Sequence, residues 1–289
     1  MVTTTSRWCY RARARWLLGL LDAARGQGVS LAWTAHNLRP HDDPYPDLGL
    51  AARRALLTRC AVVFGHFPSA EGDVRALGFR GRFALTPHAH FDRDYPLAFA
   101  ARDARAAYRR ALGVKEEETL LVSAGAIERY KNLPALARAL RQAAVSGLRW
   151  WVAGRAKDGE TYRALCHEAR GVDWITVREG FLSTTEMARL VGAADAMLLA
   201  YRDFYTSGAA VLALTQGTPL VAPAVQHLAL YAGEPFFVAL PSLDEVSLRA
   251  AVASVRAMGD EVRAAARARA LRDTWEAAAA VVDETLFSR

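Results

Sequence analysis

Lysine is nearly absent from this chain. Lys115, Lys131 and Lys157 are the only three in 289 residues, and arginine supplies the rest of the 37 basic side chains. Cysteine is as scarce. Cys9, Cys60 and Cys166 are widely spaced, odd in number and form no C-x-x-C. That excludes a disulfide framework and a cysteine zinc site, and it fits a reducing cytoplasm. No apolar run approaches the ~18–20 residues that span a bilayer. The 20 glycines and 11 prolines are too few for collagen-like or low-complexity sequence, and no internal repeat is visible.

What is present is a chain able to bury a large core, 52% hydrophobic and 23% charged. Its length suits about two domains of ~150 residues. The net charge of +7 is uneven: residues 1–90 hold 12 basic against 6 acidic side chains, and the remainder 25 against 24. A basic first third favours acidic partners such as phosphate groups or anionic headgroups. Nothing resembles an aromatic RNA platform or a helix-turn-helix, so no nucleic acid is expected.

Residues 6–26 have the outline of a signal peptide, with Arg7, Arg11, Arg13 and Arg15 before Trp16-Leu17-Leu18-Gly19-Leu20-Leu21. The apolar stretch is short, Asp22 interrupts it, and Ala23-Ala24-Arg25 is a poor cleavage site. The arginine spacing instead predicts an amphipathic helix. It could cover a sheet, lie on a membrane surface, or meet a partner chain.

Short β-like runs then alternate with helical ones. Strands are expected at 30–34, 61–64 and 83–86, with helices at 47–59 and 69–77. Residues 87–100, rich in Pro, His and Asp, read as a linker. Beyond it, strands at 119–124, 150–153, 174–177, 196–200, 218–221 and 236–239 alternate with helices at 132–145, 159–169, 184–192, 207–215 and 243–257. A last helical stretch runs to the C-terminus. Apolar strands alternating with helices predict an α/β fold with a parallel sheet covered on both faces.

Open α/β sheets bind ligands beyond the carboxyl ends of their strands, near helix N-termini. Four such junctions hold candidates. Ser123-Ala124-Gly125 ends a strand, and Arg129 and Lys131 sit just before a helix, as suits a diphosphate. Gly154-Arg155 repeats the pattern. Gly180-Phe181-Leu182-Ser183 precedes a helix that Ser183 or Thr184 can cap. Tyr201 to Thr206 leads to Ser207, a cap for a helix beginning Gly208-Ala209-Ala210, where small residues leave backbone N–H groups accessible.

In this order, Gly125…Lys131-Asn132, Gly154, Gly180-Phe181-Leu182, Ala193-Ala194-Asp195-Ala196…Tyr201, Ser207-Gly208 and Gly217-Thr218-Pro219-Leu220-Val221 resemble the donor-binding half of GT-B glycosyltransferases. The likeness is to the large bacterial group 1 / family 4 set and covers about 117–270. Trp33-Thr34-Ala35-His36-Asn37-Leu38-Arg39-Pro40-His41 is similar to an acceptor-domain segment of one branch. The resemblance implies two Rossmann-like domains, the N-terminal one incomplete: 1–96 a partial acceptor-side domain with linker, 97–270 a nucleotide-sugar donor domain, 271–289 a C-terminal return helix. It implies a retaining transferase using a UDP- or GDP-linked sugar as co-substrate, with no further cofactor and no metal, on an acidic or lipid-linked acceptor.

By the same resemblance Lys131 holds the donor diphosphate, Arg129 stands in for an arginine that is Ala126 here, and Ser207-Gly208 faces the phosphates. Gly125, Gly154, Phe181 and Leu182 are the nucleotide-side candidates. Tyr201, Thr206, His41 and His90 are further cleft candidates. His36, at a strand end, is the catalytic or acceptor-binding candidate, with a structural histidine as the competing reading. The family's E-x7-E glutamates are missing, with Phe204 and Leu212 in their places, and the usual opening strand and glycine loop are absent. Those two departures favour a second reading, a non-catalytic GT-B-like partner subunit. Asp42 and Asp43 follow His41 and could serve as acid or base.

Overall fold

The computed structural model describes residues 6–38, 43–202 and 204–287. The chain divides into two compact units, one of residues up to Pro87 together with those from Glu276 onward, the other His88–Trp275.

The first unit holds a three-stranded parallel sheet, β1 (Ala32–Thr34), β2 (Val62–Gly65) and β3 (Arg82–Leu85), in that spatial order. Trp33 pairs with Val63, and Val63 with Phe83. Helices α2 (Pro46–Leu57) and α3 (Ala70–Ala76) make the crossovers, so this is one βαβαβ half of a doubly wound fold. Only β2 is buried along its whole length. Leu57, Phe67, Val74 and Phe79 are other large buried apolar side chains of this unit.

The amphipathic helix forms as expected: α1 (Arg7–Gly26) is capped by Ser6, whose side chain accepts from the Cys9 N–H. Its role differs from the expectation that it would bury its apolar side chains over a sheet edge. It packs chiefly beside α2 and buries no residue. Polar links hold it there: Arg7 to Asp47, and Asp22 to Arg59 at 2.8 Å. The C-terminal helix lies with this unit, where the Arg82 guanidinium donates to the Thr285 carbonyl at 3.0 Å.

The second unit holds the expected six-stranded, all-parallel sheet. In chain order the strands are β4 (Thr119–Ala124), β5 (Leu148–Gly154), β6 (Ile175–Glu179), β7 (Ala196–Leu198), β8 (Leu220–Ala222) and β9 (Phe237–Ala239). Their spatial order is β6-β5-β4-β7-β8-β9, the doubly wound dinucleotide-fold order, whose switch point lies between β4 and β7. Helices α5 (Leu133–Ala143), α6 (Gly159–Ala169), α7 (Thr184–Ala193), α8 (Gly208–Thr215) and α9 (Glu245–Arg256) alternate with the strands. Two core clusters, one on each face, meet at β4.

Three local readings need correction. Residues 88–100 are irregular but not a free linker, because they dock on the second unit. The Thr215 hydroxyl accepts from the Phe91 N–H at 3.2 Å. The Gln216 amide accepts from the Ala98 N–H at 2.9 Å and donates to the Tyr95 carbonyl at 2.7 Å. The chain therefore divides after Pro87 rather than at 96. Helix α4 (Arg102–Ala111) was not anticipated. Its arginines obscured the apolar stripe, yet Arg105 and Arg109 bond Asp195 at 2.7 and 2.9 Å and so fasten the helix to the sheet. The last helical stretch is two helices, α10 (Asp260–Arg272) and α11 (Trp275–Phe287), broken where the Asp273 carbonyl accepts from the His90 N–H at 2.8 Å.

Candidate functional site

At the switch point of the second unit lies a pocket of 260 Å³ lined by Phe91, Tyr95, Gly125, Lys131, Tyr201 and Ser207, among others. Six of the residues singled out in the sequence meet there: Gly125, Lys131, Tyr201, Thr206, Ser207 and Gly208. A larger depression beside Glu118, Arg149 and Trp174 opens at the amino ends of β4 and β5, the end of a parallel sheet that ligands do not use.

The pocket is built from the ends of β4 and β7. Gly125 turns the chain with φ of 96°. A Cβ there would sit 3.1 Å from the Lys131 Nζ, so the glycine makes room for the ammonium. A short 3-10 turn, Arg129–Lys131, carries the lysine back over the strand end, where its Nζ donates to the Ala124 carbonyl at 3.2 Å. Lys131 is buried, and this burial lowers its pKa from 10.5 to about 8, with Lys157 lowering it further and Glu128 opposing. Glu128 is itself held by Lys157 at 3.3 Å. A buried ammonium with one carbonyl partner keeps donor capacity for an anion.

On the other wall, the Ser207 side chain accepts from the Ala210 N–H at 3.2 Å and starts α8. The N–H groups of Gly208 and Ala209 carry no hydrogen bond to the described residues. Two such donors at a helix N-terminus form an anion-binding end. Behind them Tyr201 is buried, its phenol bonded to Ser207 and pushed up to about 12 by burial. Tyr130, Tyr201 and Phe204 meet in series, tilted and edge-on, with ring centroids 5.3 and 5.1 Å apart. The backbone also ties the two walls: the Arg202 N–H donates to the Tyr130 carbonyl at 3.0 Å.

Other candidates fall elsewhere. Gly154 does not line the pocket. It has φ of 151°, and a Cβ on it would overlap the Gly125 carbonyl, so it is needed for the close approach of the ends of β4 and β5. Arg129 is exposed outside the pocket. Leu182 is buried in the core, whereas Phe181 is 85% exposed on the loop after β6. Ser183 and Glu186 form the cap of α7, with Arg178 at 2.6 Å from Glu186. The Arg178 ion pair, together with the cap bonds to Ser183, holds the Glu186 carboxyl down to about 2. His90 is engaged by its own segment: its Nδ1 accepts from the Asp92 N–H at 3.2 Å and its carbonyl from the Trp275 indole at 3.0 Å. His41 and Asp42 lie outside the described residues. Asp43 accepts from the Tyr45 N–H at 2.9 Å and serves a turn.

In the first unit, His36 follows β1 and pairs with His66, a residue to which the sequence assigned no role. The rings are 3.2 Å apart, Nε2 of His66 to Nδ1 of His36, and the other His66 nitrogen, Nδ1, faces the Thr86 carbonyl at 3.1 Å. A carbonyl only accepts, so His66 Nδ1 carries a proton. Neutral His66 then accepts at Nε2, and His36 must donate from Nδ1, leaving its Nε2 with the lone pair. Burial lowers the pKa of both rings, so the pair is neutral at pH 7.

Sequence reasoning missed Phe91, Tyr95, Tyr130 and Met187 of the pocket lining, and placed Leu212 there only as the position of a lost glutamate. The i, i+4 spacing of Phe91 and Tyr95 within a Pro- and Asp-rich segment was the available signal. Among the described residues, no group of three or more His, Cys, Asp or Glu side chains converges.

No protein-family model matches the sequence, and no curated protein matches it. Solved structures do. Sucrose-phosphate synthase from Thermosynechococcus elongatus superposes with a TM-score of 0.75 at 20% identity, over 93% of this chain and 71% of that one. HepE from Anabaena, in complex with UDP and glucose, gives 0.77 at 14% identity, over 96% and 76%. A trehalose-phosphate synthase (UDP-forming) from Burkholderia vietnamiensis gives 0.67 at 15%, over 93% and 69%. These neighbours are GT-B glycosyltransferases, and the chain has the GT-B type of fold, with two parallel α/β sheets.

Proposed function

We propose that the protein transfers a sugar from a nucleotide-diphosphate donor, UDP- or GDP-linked, to a glycan, lipid-linked or natural-product acceptor. The observation that carries this reading is the convergence of buried Lys131 and the α8 N-terminus on one switch-point pocket. The volume of 260 Å³ suits the diphosphate portion of a nucleotide rather than the whole molecule, since full ligand pockets run from about 300 Å³ upward. Lys131 and the Gly208 and Ala209 N–H groups would stabilise the departing diphosphate. Exposed Phe181 would stack on the base, with Leu182 anchoring its loop. The UDP complexes of HepE support this choice of donor class. His36 is proposed on the acceptor side, as a neutral imidazole that can take part in handling a hydroxyl proton. Net retention is proposed from the resemblance alone, and among the described residues no carboxylate lines the pocket as a covalent nucleophile.

A second reading has its own support. Phe204 and Leu212 are buried apolar residues where the family's glutamates stand, which favours a nucleotide-binding partner subunit without turnover. Calorimetric titration of UDP and GDP tests the site. Binding that Lys131→Ala weakens by ~1.5–3 kcal/mol supports it, the range for a hydrogen bond to a charged group. Affinity unchanged in that variant would remove Lys131 from the site. Tight binding without donor turnover against any acceptor would favour the subunit reading.

A further inference from the structure

The two faces of α1 are arranged against the usual rule. Tyr10, Ala14, Leu18 and Leu21, four of its six half-buried side chains beside Cys9 and Ala24, form a stripe of one helical face turned toward α2. A surface helix ordinarily presents polar residues on the opposite face. Here that face carries Trp8, Ala12, Trp16, Gly19, Leu20 and Ala23, all exposed, Trp8 at 76% and Trp16 at 71%. Arg11 and Arg15 border this outer stripe on one side and Arg13 on the other. Among the described residues none of these three arginines makes an ion pair, whereas the one acid of the helix, Asp22, lies on the Arg11 and Arg15 flank and is taken by Arg59.

We infer that α1 is an interfacial helix that docks flat on an anionic membrane surface. An apolar stripe with two tryptophans, flanked by unpaired arginines and free of carboxylates, matches the headgroup boundary of such a bilayer. Indole rings sit at that level, and arginines reach the lipid phosphates. The helix stays tethered through Arg7–Asp47, Asp22–Arg59 and the Tyr10–Tyr45 ring contact at 5.7 Å. Docking therefore needs no unfolding of the first unit. No helix among the described residues is long and apolar enough to cross a membrane, so the contact is peripheral. The inference rests on α1 alone and is independent of nucleotide binding in the second unit.

The test is co-sedimentation of the full chain with phosphatidylcholine vesicles, with and without phosphatidylglycerol. Binding is expected to the anionic vesicles only and should be released by salt. Arg11→Ser/Arg13→Ser/Arg15→Ser should lower the partition constant roughly a hundredfold, at about fivefold per basic residue. Trp8→Ser/Trp16→Ser should lower it roughly tenfold or more. Both variants should keep the parental melting temperature, since the replaced side chains are exposed. Failure of the parent chain to bind anionic vesicles would overturn the inference. So would vesicle binding that survives loss of both tryptophans. A concentration-dependent dimer that Trp8→Ser/Trp16→Ser abolishes, without vesicle binding, would assign the stripe to a second copy instead.

Discussion

The two units carry the same kind of sheet at different depths of burial. In the second, β4 is buried at all six positions and has a strand on each side. In the first, β2 alone is fully buried, and β1 and β3 are edges with exposed positions. Both sites sit at strand ends, yet each handles charge in its own way. The six-stranded unit holds an ammonium in its interior beside a helix end. The three-stranded unit holds two imidazoles that its interior keeps neutral. In the deeper sheet the Ala124 carbonyl and the charge of nearby Glu128 oppose the cost of burying the cation. A shallow sheet provides a carbonyl and a second ring. The difference teaches that the groups set beside a buried titratable side chain decide how it meets the cost of burial.

The comparison breaks most sharply at Gly154. Replacing it with Ala should destabilise the second unit by about 3 kcal/mol, because the new Cβ meets backbone that cannot rotate away. Denaturant unfolding followed separately for the two units should show the loss in the second alone. A wild-type midpoint would mean that the ends of β4 and β5 are looser than drawn.

Lys131 gives the next largest effect, through pH. Its pKa is lowered to about 8 in the folded apo protein, so the unfolded state binds more protons between about 8 and 10.4. Stability of the apo second unit should therefore rise with pH across that window. Diphosphate affinity should move the other way, falling as the ammonium is lost above pH 8. Calorimetric titrations at pH 7 and pH 9 check this, and affinity equal at both would detach Lys131 from the anion.

The first unit should respond in a different pH range. His36 and His66 have lowered pKa values, so the native state binds fewer protons than the unfolded one just below pH 6.5. The stability the neutral pair contributes is present near pH 7 and is lost on acidification through that value. In His66→Gln the amide can still accept from His36 Nδ1, so the His36 tautomer should be retained. In His66→Ala the bond is lost. Nitrogen-15 shifts of His36 distinguish the two, and identical shifts in both variants would show that His66 does not set the tautomer.

Phe181 should give the smallest change. Phe181→Ala should leave stability within about 0.5 kcal/mol, as for other exposed positions. It should weaken UDP by ~1 kcal/mol, the lower end for stacking on a base, and leave pyrophosphate binding unchanged. Equal loss for both ligands would make Phe181 a structural residue of the loop.

Much of the fold was legible along the chain. The nine strands among the described residues lie close to where apolar runs bounded by turn residues put them. Ser183 and Ser207 marked the starts of α7 and α8 because capping chemistry is local. Helix α4 was hidden because its inward residues are arginines, and their partner Asp195 is 86 residues from Arg109. In the site, glycine, cation and cap could be read one junction at a time. That Lys131 would be buried, and that Phe91 and Tyr95 would help to wall its pocket, could not.

Local chemistry by itself determined the βα alternation, the helix caps, the amphipathic helix at the front and the set of strand ends at which an anion can be held. Only the tertiary structure decided which of those ends come together. The order β6-β5-β4-β7-β8-β9 places Gly125 and Ser207 at one switch point and leaves Arg129 in solvent. It also makes Gly154 a packing residue, and the fold of the first unit joins His36 to His66. The physical reason is that a hydrogen bond or a pKa depends on what lies within a few ångströms, and in a parallel sheet those neighbours arrive through crossover connections of about a dozen residues or more.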